Sequence, residues 1–204
     1  MRRINAIIAA LVLLETAAYG GYRVYASHNG PEVPEVHVPT TMAIGEAPVF
    51  LGKAEARYTL VEFGDYQCPP CAAAAPAVEK LIDQSQGKLK FVFRQYPLPF
   101  HEKAHEAAVA ALSAKEAGKY YPVHRALYAL NTKVDTGKIA QILKEAGVTS
   151  VTAKATATAE EQLLATKRDG DAMSLVGTPS FFLCTPAGII YRLTGPEQAT
   201  ALMR

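Results

Sequence analysis

Hydrophobic and polar positions divide the chain into three zones. The first is a clean apolar run from Ala6 to Leu14, preceded by Arg2 and Arg3 and closed by Glu15. A charged start before a run of this length describes a secretory signal, with small-residue exits at Thr16-Ala17-Ala18 and Val24-Tyr25-Ala26. Counted from Ile4 to Tyr22, the same stretch nears the ~20 residues that span a bilayer, so residues 1–26 read as a cleaved signal or a retained anchor. Either reading exports the rest. The second zone, residues 27–43, carries Pro31, Pro34 and Pro39 with little apolar bulk, and predicts an extended linker. The folded domain is then expected over 44–204.

Inside that domain the β-prone run Tyr58-Thr59-Leu60-Val61-Glu62-Phe63 ends at the turn-prone Gly64-Asp65 and predicts a strand. Residues 72–83, AAAAPAVEKLID, follow with a helical pattern in which Pro76 predicts a kink. Lys90-Phe91-Val92-Phe93-Arg94 reads as a second strand, so strand, helix and strand make a right-handed parallel crossover. From about 100 to 175 the pattern is helical, with Gly118 and Gly147 placed to end helices. Phe181-Phe182-Leu183-Cys184 and Ile189-Ile190-Tyr191-Arg192-Leu193 flank the turn Thr185-Pro186-Ala187-Gly188 and predict a hairpin; a short final helix is expected over 196–203.

Charge and composition narrow the function. The whole formal charge of +2 sits in residues 1–26, where Arg2, Arg3 and Arg23 outweigh Glu15, so residues 27–204 are neutral and offer no basic face to nucleic acid. Three cysteines are too few for a disulfide-built scaffold.

Two of them lie in Asp65-Tyr66-Gln67-Cys68-Pro69-Pro70-Cys71. A four-cysteine zinc site needs a second Cys-x-x-Cys, and the chain has only Cys184 besides. A bridge across so small a loop would stabilise little. A redox pair remains. Pro69 and Pro70 suit the first turn of a helix, where their missing N–H groups cost nothing, so Cys68 falls at a helix N-terminus. The helix dipole and its free N–H groups stabilise a thiolate there.

The blocks VEFGDYQCPPC (61–71), FVFRQYPL (91–98) and VGTPSFF (176–182), in this order around a helical insertion, resemble the DsbA-like thiol:disulfide oxidoreductases of the thioredoxin superfamily. The resemblance implies an α/β thioredoxin-like fold with a helical insertion at about 100–175, and no cofactor. It implies that Cys68 is the exposed nucleophile, Cys71 the buried resolving thiol, and Glu62 an acid that relays the proton of Cys71. It also implies that Thr178-Pro179 is a cis bond facing the pair, the backbone before the proline receiving substrate. Cysteine-containing or unfolded proteins outside the cytoplasm, in a bacterial periplasm or envelope, are the implied substrates. A membrane redox partner would reset the dithiol. Two features depart from the family. Tyr120 and Tyr121 stand where relatives often include a tryptophan, and Pro70 stands where the strongest oxidants carry histidine.

Two other readings compete. One is a thioredoxin-fold chaperone or binding protein with incidental cysteines. The other is a zinc hydrolase, because His101-Glu102-Lys103-Ala104-His105 spells HExxH. That motif puts both histidines on one helix face, but it needs a third ligand. His124, the nearest histidine, has no matching spacing. The motif therefore reads as a chance match on the first helix of the insertion, and no metal is expected. Cys184 reads as a small buried hydrophobe.

Overall fold

The computed structural model describes residues 33–203; the segment expected to be a signal or anchor lies outside the described residues. Five strands form one mixed sheet: β1 (Glu35–Val36), β2 (Tyr58–Gly64), β3 (Leu89–Gln95), β4 (Ser180–Cys184) and β5 (Ile190–Leu193), in the order β1-β5-β4-β2-β3. Seven α-helices accompany them: α1 (Thr40–Ile44), α2 (Pro69–Gln84), α3 (Ala104–Ser113), α4 (Tyr120–Ala129), α5 (Thr136–Glu145), α6 (Ala153–Ala172) and α7 (Ala199–Leu202). The β2-α2-β3 unit is the expected parallel crossover, and β4 and β5 are the expected hairpin, closed by Thr185 N–H on Ile189 O at 2.9 Å. Helices α3 to α6 fill the predicted insertion.

Every residue of β2 is buried, as a central strand covered on both faces requires. Its alternation sends Val61 and Phe63 to one face, where they meet Val92, Tyr96, Phe182, Cys184 and Ile190. Leu60 and Glu62 go to the other face, and the register pairs them with Phe91 and Phe93 of β3 and with Leu183 and Phe181 of β4. Glu62 therefore enters an apolar layer by strand geometry alone. Gly64 lets that layer close: a Cβ there would lie 2.3 Å from the Phe93 ring and 2.8 Å from Glu62 Oε1.

The linker expected over 27–43 ends earlier. Glu35 and Val36 pair with Tyr191 and Ile190, Arg192 N–H donates to Pro34 O at 2.8 Å, and Ala43 is wholly buried. Val36, Val38 and Met42 pack on the core. The prolines permit this because β1 is an edge strand only two residues long, which asks little of its N–H groups. Arg94 fixes the same region from below. Its guanidinium donates to Met42 O and Ala43 O at 3.1 and 3.0 Å and pairs with Asp169 of α6 at 2.6 Å.

Helix α2 continues through Pro76. The predicted stop at Gly147 holds: there (φ 80°) the end of α5 is closed by Val148 N–H on Leu143 O and Gly147 N–H on Lys144 O, the paired bonds of a Schellman motif. The stop expected at Gly118 falls earlier: α3 ends at Ser113, and Gly118 (φ 67°) closes the turn that follows it. Among the described residues no helix is long and apolar enough to cross a membrane.

Candidate active site

Cys68 is the N-cap of α2, its backbone extended (φ −81°, ψ 115°), with Pro69 and Pro70 in the first turn. Its N–H donates to Asp65 O at 3.1 Å and its carbonyl accepts Ala72 N–H at 3.1 Å, so the residue is held at both ends. The thiol donates to Thr178 O at 3.3 Å from the loop before β4. The Thr178-Pro179 bond is cis, as the resemblance implied. That loop lies over the sulfur, so Cys68 retains only 4% exposure, against none for Cys71. The expectation of an openly exposed thiol is corrected accordingly, although the ranking of the two cysteines stands. Both are free thiols.

Cys71 sits one turn inside α2 against Cys68, the carboxyl of Glu62 and the backbone N–H of Asp65. Burial pushes its thiol well above the usual range, and the neighbouring Glu62 charge pushes it further. Glu62 itself is 1% exposed, and burial raises it from 4.5 to about 8 against the opposing bonds from Cys71 and Tyr128. The Tyr128 hydroxyl reaches Glu62 Oε1 at 3.5 Å. A carboxyl and a thiol that both favour protonation thus share one dry contact.

A cavity of about 270 Å³ between α2 and α4 reaches Glu62 but not Cys71, and is lined also by Ala72, Ala75, Pro76, His124 and Tyr128. Half-exposed Glu79 and Arg125 pair at its edge. His124 is packed among Phe93, Tyr128 and Tyr66 rings, bonds the Tyr66 hydroxyl at 3.0 Å, and is lowered by burial from 6.5 to about 3. Gln95 Nε2 donates to the hydroxyls of Tyr66 and Tyr120 at 2.9 and 3.1 Å, and Tyr120 donates on to Phe93 O. The Tyr120-Tyr121 pair thus anchors α4 to the sheet.

The HExxH arrangement does not form. Helix α3 begins at Ala104, so His101 lies in the preceding turn and bonds Asp65 at 2.8 Å, while His105 pairs with Glu160 at 3.1 Å. His124, the nearest further histidine, is packed in the aromatic layer away from both. Among the described residues no group of His, Cys, Asp or Glu is arranged to hold a metal. Cys184 lies on the opposite face of the sheet with Val61 and Phe63, 3% exposed, and burial raises it to about 12; it packs as the small hydrophobe expected.

Sequence reasoning missed Asp65, whose carboxylate is wholly buried and accepts N–H groups from Gln67, Leu98 and His101 at 2.7, 2.7 and 2.8 Å. The signal was present: an acid in the turn three residues before the first cysteine, with a histidine beyond the next strand. Tyr128 and Gln95 carried no comparable signal.

Residues 45–184 match the family model for thioredoxin. The chain is 28% identical over 163 residues to the Na(+)/H(+) antiporter NhaA of Nitrosospira multiformis, a match that covers 75% of this chain and spans a quarter of the antiporter's length. A periplasmic thioredoxin-like protein from Salmonella enterica serovar Typhimurium superposes with a TM-score of 0.68 at 22% identity, over 80% of this chain and 92% of that one. The thiol-disulfide exchange protein alpha-DsbA2 from Wolbachia pipientis superposes with a TM-score of 0.64 at 20% identity, over 80% and 89% of the two chains. The matched family and the β2-α2-β3 crossover agree: this chain belongs to the thioredoxin family, with a helical insertion between β3 and β4.

Proposed function

We propose that the protein is an exported thiol–disulfide oxidoreductase acting on cysteine-containing proteins through Cys68 and Cys71. The observation that carries the reading is the arrangement of the two thiols at the start of α2: one under the Thr178 carbonyl, the other bonded to a buried carboxyl.

The cycle balances with these groups alone. In the oxidised form a substrate thiolate attacks Cys68 Sγ, the Cys68–Cys71 bond breaks, and Cys71 leaves as a thiolate. Glu62, raised to about 8 and therefore mostly protonated at neutral pH, supplies the proton that Cys71 needs in its dry site. A second substrate thiolate then attacks its own half of the mixed disulfide and expels Cys68. The substrate loses two electrons and the protein gains them. In reverse, the Glu62 carboxylate removes the Cys71 proton so that Cys71 can resolve a mixed disulfide. Thr178 and Pro179 form the substrate-facing edge, where the Thr178 backbone stands beside the sulfur under attack.

The periplasmic source of the Salmonella relative and the charged apolar N-terminus support export. Net oxidation of substrates is the favoured direction, and a membrane redox partner would then restore the disulfide. No observation favours a binding protein with incidental cysteines: a thiol–carboxyl contact sealed in the core is costly unless used.

Insulin reduction and equilibration with glutathione test the reading. The wild-type protein is expected to catalyse the first and reach a measurable potential in the second, and Cys68→Ser is expected to abolish both. Equal insulin reduction by Cys68→Ser and wild type would sink it. A potential near the strongly oxidising end of the family scale marks an oxidase, and one near thioredoxin a reductase.

A further inference from the structure

The histidine that opens the HExxH stretch has an identified partner but no part in the cycle above. We propose that His101 is a positioning residue for the redox pair: through the carboxylate of Asp65 it fixes the loop whose backbone holds both thiols. The inference rests on the thiol-exchange reading and adds to it a residue from the far side of β3.

Asp65 joins two sets of contacts. Through its main chain it bears on both cysteines: its carbonyl accepts Cys68 N–H at 3.1 Å, and its backbone N–H opposes the rise that burial imposes on the Cys71 thiol. Through its side chain it is tied to the segment after β3. Oδ1 accepts Gln67 N–H, while Oδ2 accepts Leu98 N–H at 2.7 Å and His101 Nδ1 at 2.8 Å. A second tie runs parallel, with Lys103 N–H donating to Gln67 Oε1 at 2.5 Å. The loop before the thiols is therefore stitched to residues 98–103.

The chemistry of the contact sets its polarity. An ionised carboxylate only accepts, so His101 must carry its proton on Nδ1. The Asp65 side chain has no exposure, and a buried charge is tolerated only when its lone pairs are met. His101 is the one side-chain donor among its partners, and the other two are backbone groups that a substitution at 101 leaves in place. Loss of that donor should loosen Asp65, and with it the N–H that stabilises Cys71 as a leaving thiolate. Attack on Cys68 then expels a poorer leaving group.

The test uses the full chain. His101→Ala is expected to slow reduction of the Cys68–Cys71 disulfide by glutathione and to shift the equilibrium constant toward the disulfide, each by about tenfold. His101→Asn, whose amide N–H can stand where Nδ1–H stood, is expected to return both to within roughly twofold of wild type. That rescue separates positioning from a general loss of packing. Unchanged rate and equilibrium in His101→Ala, or an asparagine variant as impaired as alanine, overturns the proposal. If His101→Ala does not fold, nitrogen-15 NMR of the wild-type histidines decides: a proton on Nδ1 of His101 is expected, and an Nε2–H imidazole overturns it. A wild-type protein that never equilibrates with glutathione would overturn the exchange reading and this proposal together, whereas an exchanging wild type with unaltered variants overturns only the second.

Discussion

The carboxyl of Glu62, five residues into β2, and the thiol of Cys71, one turn into α2, share a hydrogen bond in the buried layer between sheet and helix. The contact follows from alternation along β2 and from the first turn of α2 lying over the strand's end. Burial raises both groups and the Glu62 charge raises Cys71 further, so in the reduced protein at neutral pH each mostly keeps its own proton.

Replacing Glu62 with glutamine removes the proton carrier and keeps the shape. Glu62→Gln is expected to slow Cys71-dependent closure of mixed disulfides by about 10- to 100-fold near neutral pH. Alkylation of Cys68 should change little, since Glu62 bonds the other thiol. Stopped-flow measurement of mixed-disulfide decay distinguishes the two; equal decay in variant and wild type would show that Cys71 loses its proton elsewhere.

Two buried groups give the stability profile opposite slopes. Glu62 is raised from 4.5 to about 8, so the folded state holds a proton that the unfolded chain has lost, and stability falls as pH rises through that window. His124 is lowered from 6.5 to about 3, so the unfolded chain takes up a proton that the folded state refuses, and stability falls as pH drops through that window. Between 4.5 and 6.5 the slopes cancel. Denaturant melts of the reduced protein should show a plateau there, with limbs of up to about 1.4 kcal/mol per pH unit on either side. Glu62→Gln should flatten the alkaline limb and His124→Gln the acid one. A wild-type profile rising from pH 6.5 to 8 would contradict the assignment of Glu62.

Cys71→Ala leaves Cys68 without its resolving partner. Mixed disulfides with substrate proteins are expected to accumulate on Cys68 and to vanish on reduction. Non-reducing gels read the outcome directly; no adducts in that variant, with an active wild type, would exclude a mixed disulfide on Cys68 from the cycle.

What the sequence disclosed and what it hid divide by the range of the interaction. Strands β2 to β5, the helix begun by Cys68-Pro69-Pro70 and the stop at Gly147 are local signals, and each was legible. The strand β1 was not, because Glu35 and Val36 gain their order from Tyr191 and Ile190, far along the chain. The pattern of Pro34 and Pro39 describes a spacer until that partner edge is supplied. The buried state of Glu62 was equally hidden: an acid in a strand reads as exposed or buried according to which face the helices cover. The chance reading of HExxH carried one misplacement for the same reason: His101 was set on the first helix of the insertion, which starts three residues later, at Ala104.

The redox poise should respond to Pro70. A side-chain acceptor at the N-cap takes its hydrogen bond from the second or third residue of the helix. The second residue here is Pro70, which has no N–H, so only the Cys71 N–H can serve, and no cap bond to the Cys68 side chain forms. The site also lacks the imidazole that histidine would place beside the sulfur. Each missing donor weakens the thiolate of Cys68, and a stable thiolate is what makes the corresponding disulfide a strong oxidant. Pro70→Ala restores the backbone donor alone, and Pro70→His restores both. The equilibrium constant with glutathione should therefore move toward the dithiol in the order wild type, Pro70→Ala, Pro70→His. About tenfold overall is expected, which is about 30 mV in reduction potential. Losing a proline at this position should cost little in folding, because alanine and histidine both continue a first turn. If neither variant moves the equilibrium, the potential is set by the groups around Cys71 rather than by donors to Cys68.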